Sequence, residues 1–260
     1  VGDVRLLAQD IAPSLIPTWM VPADKADEVN DNLAGSPIDP DGNILAIMIG
    51  VAGTGGVAVN GVFSGNVIAN SIRAEIDSST VHTTTGLVDL DTRSAAGIFA
   101  ITVGVAGSGA VAVNATGFGN VITNTVAASI KNASHVHAGG LIDLTAKDQS
   151  SIRSIAVSVA GTGAVAVGAL IGANVITNTV AAEITASTVA SGSTLNLGAE
   201  SSSSIMSLTA GVAGSGGGAV VISLSGNIIT NTTKAGVVND GATSSDVEAA
   251  GAVTITAKDT

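Results

Sequence analysis

The sequence predicts an all-β fold, a parallel β-helix (β-solenoid) built from four repeats of about 54 residues with one inserted loop. Three observations support this prediction: near-identical copies in fixed phase, large and small residues alternating with period two, and no sustained 3.6-residue period between residues 44 and 260. Three positions recur at steps of 54, 54 and 53 residues: Asn66, Asn120, Asn174 and Asn227; Asn70, Asn124, Asn178 and Asn231; Gly53, Gly107, Gly161 and Gly214.

The repeats divide the chain into one solenoid segment, 1–260, with the insertion at 11–43. The four repeat cores are 44–97, 98–151, 152–204 and 205–260. Residues 2–10 share the pattern of 140–148 and 251–259, so we expect the array to continue in both directions in a parent protein. The alternative is that these edges stack on another subunit.

The insertion contains all five prolines and the only tryptophan of the chain. Because proline cannot donate to a sheet ladder, we expect residues 11–43 to leave the sheet. A short helix is predicted from Pro22 to Leu33. Trp19 and Met20 are predicted to cover the solenoid flank and to be a possible partner contact.

Short strands are separated by Ser, Gly and Thr clusters, and we expect coils of about 18–20 residues. One repeat would then form about three coils and advance about 14 Å, which makes the segment a rod of roughly 60 Å. Equivalent asparagines such as Asn66 and Asn120 would be too far apart to touch, and each would cap its own corner. Alternatively, the Val-Ala-Gly-(Thr/Ser)-Gly turn closes a hairpin that stands off the solenoid.

Composition excludes several classes of function. The chain has 9 basic and 20 acidic residues and a net charge of −11, so nucleic acid and anionic lipid are not expected partners. It has no cysteine, which excludes disulfides and Cys metal sites. No apolar run approaches the ~18 residues of a membrane helix, so we expect no membrane insertion of this segment.

The repeat motifs resemble those of very large secreted bacterial adhesins. The motifs are Ser-Thr-Val…Gly-x-Leu-x-Leu-x-Ala alternating with Val-Ala-Gly-x-Gly…Asn-Val-Ile-x-Asn, over residues 2–10 and 44–260. The resemblance is to the filamentous-haemagglutinin and autotransporter-passenger class, including leukotoxin-like filamentous adhesins. It implies a right-handed parallel β-helix, export and display at the cell surface. The insertion at 11–43 departs from the pattern.

Two motifs could bind ligands. Asp39, Asp41 and Asn43 place oxygen ligands at alternate positions beside Gly42, as in a calcium loop, but no bidentate Glu follows, and a plain Asp/Gly turn is the favoured interpretation. The glycines around Gly53, Gly107, Gly161 and Gly214 are not followed by the Lys-Ser/Thr of a phosphate loop, and they are predicted to permit a tight turn. No other cofactor is expected.

Titratable residues offer weaker candidates. His82, His135 and His137 lie in equivalent loop regions, and His135 and His137 would share one face of a strand without a third metal ligand. Asp89, Asp91, Asp143 and Glu183 are the carboxylates that a polysaccharide lyase or hydrolase would need. Asp89 and Asp143 are repeat-equivalent, with Asn196 in the third place, which indicates a solvent-facing strand position and not a catalytic pair.

The faces opposite the Val/Ile rows carry Ala, Gly, Ser and Thr with few charges, and residues 98–130 carry none. A solvated face usually carries Lys or Glu, so we expect this surface to be covered by a hairpin, another rod or a partner.

The predicted function is therefore that of a structural or adhesive extracellular protein, a non-enzymatic rod-like stalk or filament of a bacterial surface adhesin. Its expected partners are other copies, along or beside the solenoid, or a ligand on a host or neighbouring cell. A self-assembling homopolymeric filament and a β-helical carbohydrate-active enzyme are the alternatives; an ice-binding solenoid is the weakest, because only scattered Thr-Asn-Thr appears.

Overall fold

The computed structural model describes residues 2–10, 44–241 and 243–260, and these residues form an all-β structure without helix. The insertion at 11–43, with its predicted helix, lies outside the described residues. The strands in chain order are β1 (Val4–Asp10), β2 (Ile44–Thr54), β3 (Val57–Asp77), β4 (Thr80–Thr83), β5 (Val88–Ser108), β6 (Val111–Lys131), β7 (His135–Ala138), β8 (Ile142–Thr162), β9 (Val165–Ile176), β10 (Thr179–Thr185), β11 (Thr188–Ser191), β12 (Leu195–Ser215), β13 (Gly218–Ile229), β14 (Thr232–Val238), β15 (Asp246–Ala249) and β16 (Val253–Asp259).

The strands form three parallel sheets. Sheet A has the order β1-β5-β8-β12-β16, and β2 also pairs with β5. Sheet B has the order β13-β9-β6-β10-β14, and β3 also pairs with β6. Sheet C contains the short strands in the order β15-β11-β7-β4. The chain visits A, B and C in turn, and each circuit adds one layer, which we call a level.

The register shows that one sequence repeat is one level. Val88 pairs with Ile142, and Ile142 pairs with Leu195, so each residue pairs with its equivalent in the next repeat. The prediction of three coils per repeat is therefore wrong. Because parallel strands lie about 4.8 Å apart, the distance from the first level to β16 is about 19 Å instead of the predicted length of roughly 60 Å.

The physical reason is the length of the strands. The strands β3, β5, β6, β8 and β12 each run for 21 residues, far beyond the usual five or six. Each of them runs without a turn, so the sheet A part, the sheet B part and one short strand use up the whole repeat.

One half of each long strand belongs to a three-sided region, which we call the base. It consists of 4–10, 88–94, 142–148, 195–201 and 253–259 of sheet A, 71–77, 125–131, 179–185 and 232–238 of sheet B, and all of sheet C. Its interior is an aliphatic core that includes Leu90, Ile130, Val136, Ile142 and Leu144, each at most 2% exposed. Burial of these side chains is the main stabilising contribution of the base.

The other half of each long strand belongs to a two-layered region, which we call the wing. It consists of 44–54, 98–108, 152–162 and 205–215 of sheet A, which face 57–69, 111–123, 165–177 and 218–230 of sheet B. Asn114 of sheet B donates to the Gly104 carbonyl of sheet A at 2.7 Å, so the layers are in direct contact. Within the described residues the sheet A part and the sheet B part of one level do not pair with each other. Each forms its backbone hydrogen bonds with the same sheet in the neighbouring levels. The turn therefore joins two facing layers, not the strands of a hydrogen-bonded hairpin.

Alternation along β5 fixes which face points outward. Asp89, Asp91 and Arg93 point away from the base core, and the same parity continues to Ile101, Val103 and Val105 in the wing. The inward positions of the wing are occupied by small residues such as Ala100, Thr102 and Ala106. The Val/Ile rows therefore point inward in the base and outward in most of the wing.

Candidate functional site

The first asparagine row forms a continuous ladder inside the wing. Asn66 Nδ2 donates to Asn120 Oδ1 at 2.7 Å, and Asn120 donates to Asn174 at 2.8 Å. Asn174 in turn donates to Asn227 at 2.8 Å. The prediction that these side chains are too far apart to touch is wrong, because equivalent residues lie one strand spacing apart.

The second asparagine row lies where the base meets the wing. The backbone N–H of Asn124 donates to Asn178 Oδ1 at 2.9 Å. In the same way the backbone N–H of Asn70 donates to Asn124 Oδ1, and that of Asn178 donates to Asn231 Oδ1. The side-chain amides reach across to sheet A, where Asn70 donates to Asp10 and Asn231 donates to Asp259. This polar seam separates the aliphatic core of the base from the isoleucine cluster of the wing.

Asp148 is the buried carboxylate of the seam, with 1% exposure. It accepts hydrogen bonds from Asn178 at 2.7 Å, from Ser150 at 2.8 Å and from Asn124 at 3.4 Å. Burial nevertheless raises the pKa of the Asp148 carboxyl, against the lowering effect of these donors. Ser94 and Ser201 occupy the same register position in the two neighbouring levels, so those levels do not require a charge there.

A third, shorter row of stacked amides was not predicted from the sequence. Asn60 Nδ2 donates to Asn114 Oδ1 at 2.8 Å, and Asn114 is fully buried. The row ends at the third level, where Gly168 takes the position, and Asn114 donates instead to Ser158 at 2.7 Å. Because only two of the repeats carry this asparagine, it was not visible as a repeated position.

The repeated glycines of the turn have two different roles. A Cβ at Gly53, Gly107, Gly161 or Gly214 would meet nothing within 4 Å, so these positions do not require glycine for space. A Cβ at Gly109 would collide with the Gly55 carbonyl oxygen, and one at Gly163 would collide with that of Gly109. The close approach of successive turns therefore depends on the second glycine of Val-Ala-Gly-x-Gly.

The carboxylate candidates lie on outward faces of the base. Asp89 pairs in register with Asp143, and Asp143 with Asn196, while Glu183 lies on a different sheet. Burial, together with the neighbouring Asp143 and Asp91, raises the pKa of Asp89. Asp91 forms an ion pair with Arg93 on the same strand. Asp89 and Asp143 therefore form a row along the outward face of sheet A, apart from Glu183 on sheet B.

The histidines lie on the outward face of sheet C. His135 and His137 are exposed on one face of β7, and the ring centroids of His82 and His137 are 4.7 Å apart. Among the described residues no group of three or more His, Asp or Glu side chains could hold a metal ion. The calcium candidates Asp39, Asp41 and Asn43, and the possible contact residues Trp19 and Met20, lie outside the described residues.

A depression on the base, bordered by Lys147, Glu200 and Lys258, holds about 140 Å³. Small-molecule sites usually measure about 300–1,000 Å³, so this depression is too small for such a ligand. In the described part of the chain, no helix has the length and apolar character needed to cross a membrane.

The outer faces of the wing are the most unusual surfaces of the molecule. Face A, on sheet A, carries the aliphatic rows Ile47-Ile101-Ile155-Leu208, Ile49-Val103-Val157-Ala210 and Val51-Val105-Val159-Val212. Face B, on sheet B, carries the rows Val59-Val113-Val167-Val220 and Val67-Val121-Val175-Ile228. Arg153 is the one charged residue in the wing sequence. Exposure reaches 73% at Val51 on face A and 68% at Val59 on face B.

Comparison of the chain with protein-family models, with curated proteins and with solved structures found no match. The resemblance to secreted adhesin repeats therefore stays a prediction. The register, the asparagine ladders and the exposed faces are the observations that bear on function.

Proposed function

We propose that the chain is a segment of a right-handed parallel β-helix in which each sequence repeat forms one wide coil. The supporting observation is the unbroken parallel register from level to level in all three sheets. The right hand follows the general preference of connections between parallel strands of one sheet.

We infer that this β-helix serves as a structural or adhesive part of an extracellular bacterial surface protein, a stalk or filament. Each added repeat lengthens the β-helix by about 4.8 Å and adds one rung to every ladder. Such stacking extends without changing the cross-section, which suits a mechanical element. The resemblance to secreted adhesin repeats supplies the cell-surface location.

The ladders support the mechanical role. Asn120 and Asn124 are each 1% exposed, and both bond to the levels above and below. A slip of one residue would turn all these amides outward and unpair them. The amides therefore hold each coil in register against sliding, in addition to the backbone bonds.

Immunogold electron microscopy of intact cells of the source organism tests the location. Antibody against this segment should label projections outside the outer boundary of the cell. Label that appears only after the cells are permeabilised would contradict an extracellular role. X-ray scattering from oriented samples should give a reflection near about 4.8 Å along the β-helix axis.

A self-assembling filament is the second candidate, because both ends of the stack are open within the described residues. At the first level β2 and β3 pair on one side only, and at the fourth level β13 does so. Open sheet edges are templates for further strands. Purified protein that forms fibres of repeating single segments would favour this candidate over a stalk.

A further inference from the structure

The two outer faces of the wing carry aliphatic side chains where a solvated β-sheet carries polar ones. The exposure of these faces is not only an effect of the first and last levels. In the middle levels Ile101, Val103 and Ile155 are also partly exposed. The wing has no charge to oppose an apolar partner except Arg153 at the margin of face A. Contiguous apolar patches larger than a few hundred Å² mark interaction sites.

The area of each face is sufficient for a specific interface. Four strands about 4.8 Å apart, over ten residue steps of about 3.3 Å, give about 600 Å² per face. Two such faces in contact would bury on the order of 1,200 Å², the lower limit of standard stable interfaces. Flat sheets of branched side chains pack face to face at about 10 Å.

Hydrocarbon would also suit such faces by its chemistry alone. Another aliphatic sheet face suits them by shape as well, because the side chains of two sheet faces interdigitate. Every further copy of this chain carries two such faces.

We propose that the wings of separate copies of this chain pack against one another through faces A and B. This inference goes beyond the proposed stalk, because it assigns a lateral contact to a specific region. The faces lie on opposite sides of the wing, so each wing holds two neighbours and association does not close at a dimer. The charged base stays outside the contact, in water.

Sedimentation velocity of the whole chain over a wide concentration range tests the proposal. The wild type should form species larger than a dimer. Val103→Lys on face A or Val167→Lys on face B should reduce association, to a dimer where like faces pack together and to a monomer where face A packs on face B. The double variant should be monomeric, with unchanged far-ultraviolet circular dichroism. Thr179→Lys, an exposed base position of sheet B, should behave as the wild type.

Conservative variants cover the case in which lysine prevents folding. Val103→Thr with Val157→Thr keeps side-chain shape and β propensity, and should still weaken association through face A. A wild type that is monomeric at every concentration, or a double variant that associates as the wild type does, overturns the proposal. So does a wild type that is monomeric alone but floats with phosphatidylcholine vesicles, which would assign the faces to lipid. Single filaments in electron micrographs would leave the proposed stalk intact and remove only the lateral packing.

Discussion

The base and the wing are made from the same strands, yet they place aliphatic residues on opposite sides. In the base, Ile142 is fully buried and Asp143 points outward on the same strand. In the wing, further along β8, Ile155 points outward while Ser154 is fully buried. The comparison shows that hydrophobic burial organises the base, whereas beyond the isoleucine cluster next to the seam amide ladders and mostly small side chains fill the interior of the wing.

The largest expected effect is a truncation that compares the two regions within one strand. Ile142→Ala should lower the free energy of unfolding by about 2–5 kcal/mol, because it leaves a cavity in the base core. Ile155→Ala should cost clearly less, about 1 kcal/mol, in the monomer, because its side chain is partly exposed on the outer face of the wing. Urea denaturation in the background of the monomeric double variant measures both. Equal losses would contradict the assignment of inside and outside.

The ladder of the wing gives the next largest effect. Asn120→Ala should cost about 1–3 kcal/mol, because it leaves the buried Asn174 oxygen without its partner and removes the ladder bond of the part-buried Asn66 amide. Asn66→Ala removes a single ladder bond at a more exposed position and should cost less. Thermal unfolding followed by circular dichroism compares the two variants. Equal losses of stability in the two variants would mean that breaking two ladder bonds at a buried position costs no more than breaking one at a more exposed position.

A smaller effect of opposite sign is expected at Thr102. Its hydroxyl is buried in the wing and has no hydrogen-bond partner among the described residues. Thr102→Val should therefore raise the free energy of unfolding by about 1 kcal/mol. The control is Thr92→Val in the base, where the hydroxyl donates to the Thr145 carbonyl at 3.2 Å and its removal should destabilise. A loss of stability in both variants would mean that the Thr102 hydroxyl has a partner.

The smallest effect concerns Asp148, between base and wing. Because burial raises its pKa above the ordinary 3.8, the folded state binds the proton more tightly than the unfolded state. The stabilisation from that proton is complete below pH 3.8 and is lost as the pH rises through the raised value. The wild type should therefore gain stability relative to Asp148→Ser as the pH falls from neutrality. Denaturation of both proteins across this range measures the difference, and the reverse trend would contradict the assigned direction.

The sequence was sufficient to predict an all-β chain with parallel strands, because the copies keep their phase and Val, Ile and Ala alternate. It did not yield the coil length, since the short strands of ordinary proteins made one repeat resemble three coils, whereas Val88 to Ser108 form one uninterrupted strand. Which face of the wing points outward could have been predicted from the sequence. Asn120 and Asn124 share parity with Val126 and Ile130, so the face that carries Val121 has to be the outer one.

All rungs of the asparagine ladder have the same sense. Asn66 donates to the next level, and so do Asn120 and Asn174, so one end of the stack presents amide oxygens and the other presents amide hydrogens. Two segments joined head to tail would continue this sequence of bonds, whereas a head-to-head junction would bring two oxygens or two NH2 groups together. A fibre assembled from such segments is therefore vectorial: its two tips are chemically distinct, and it elongates with a single orientation of its subunits.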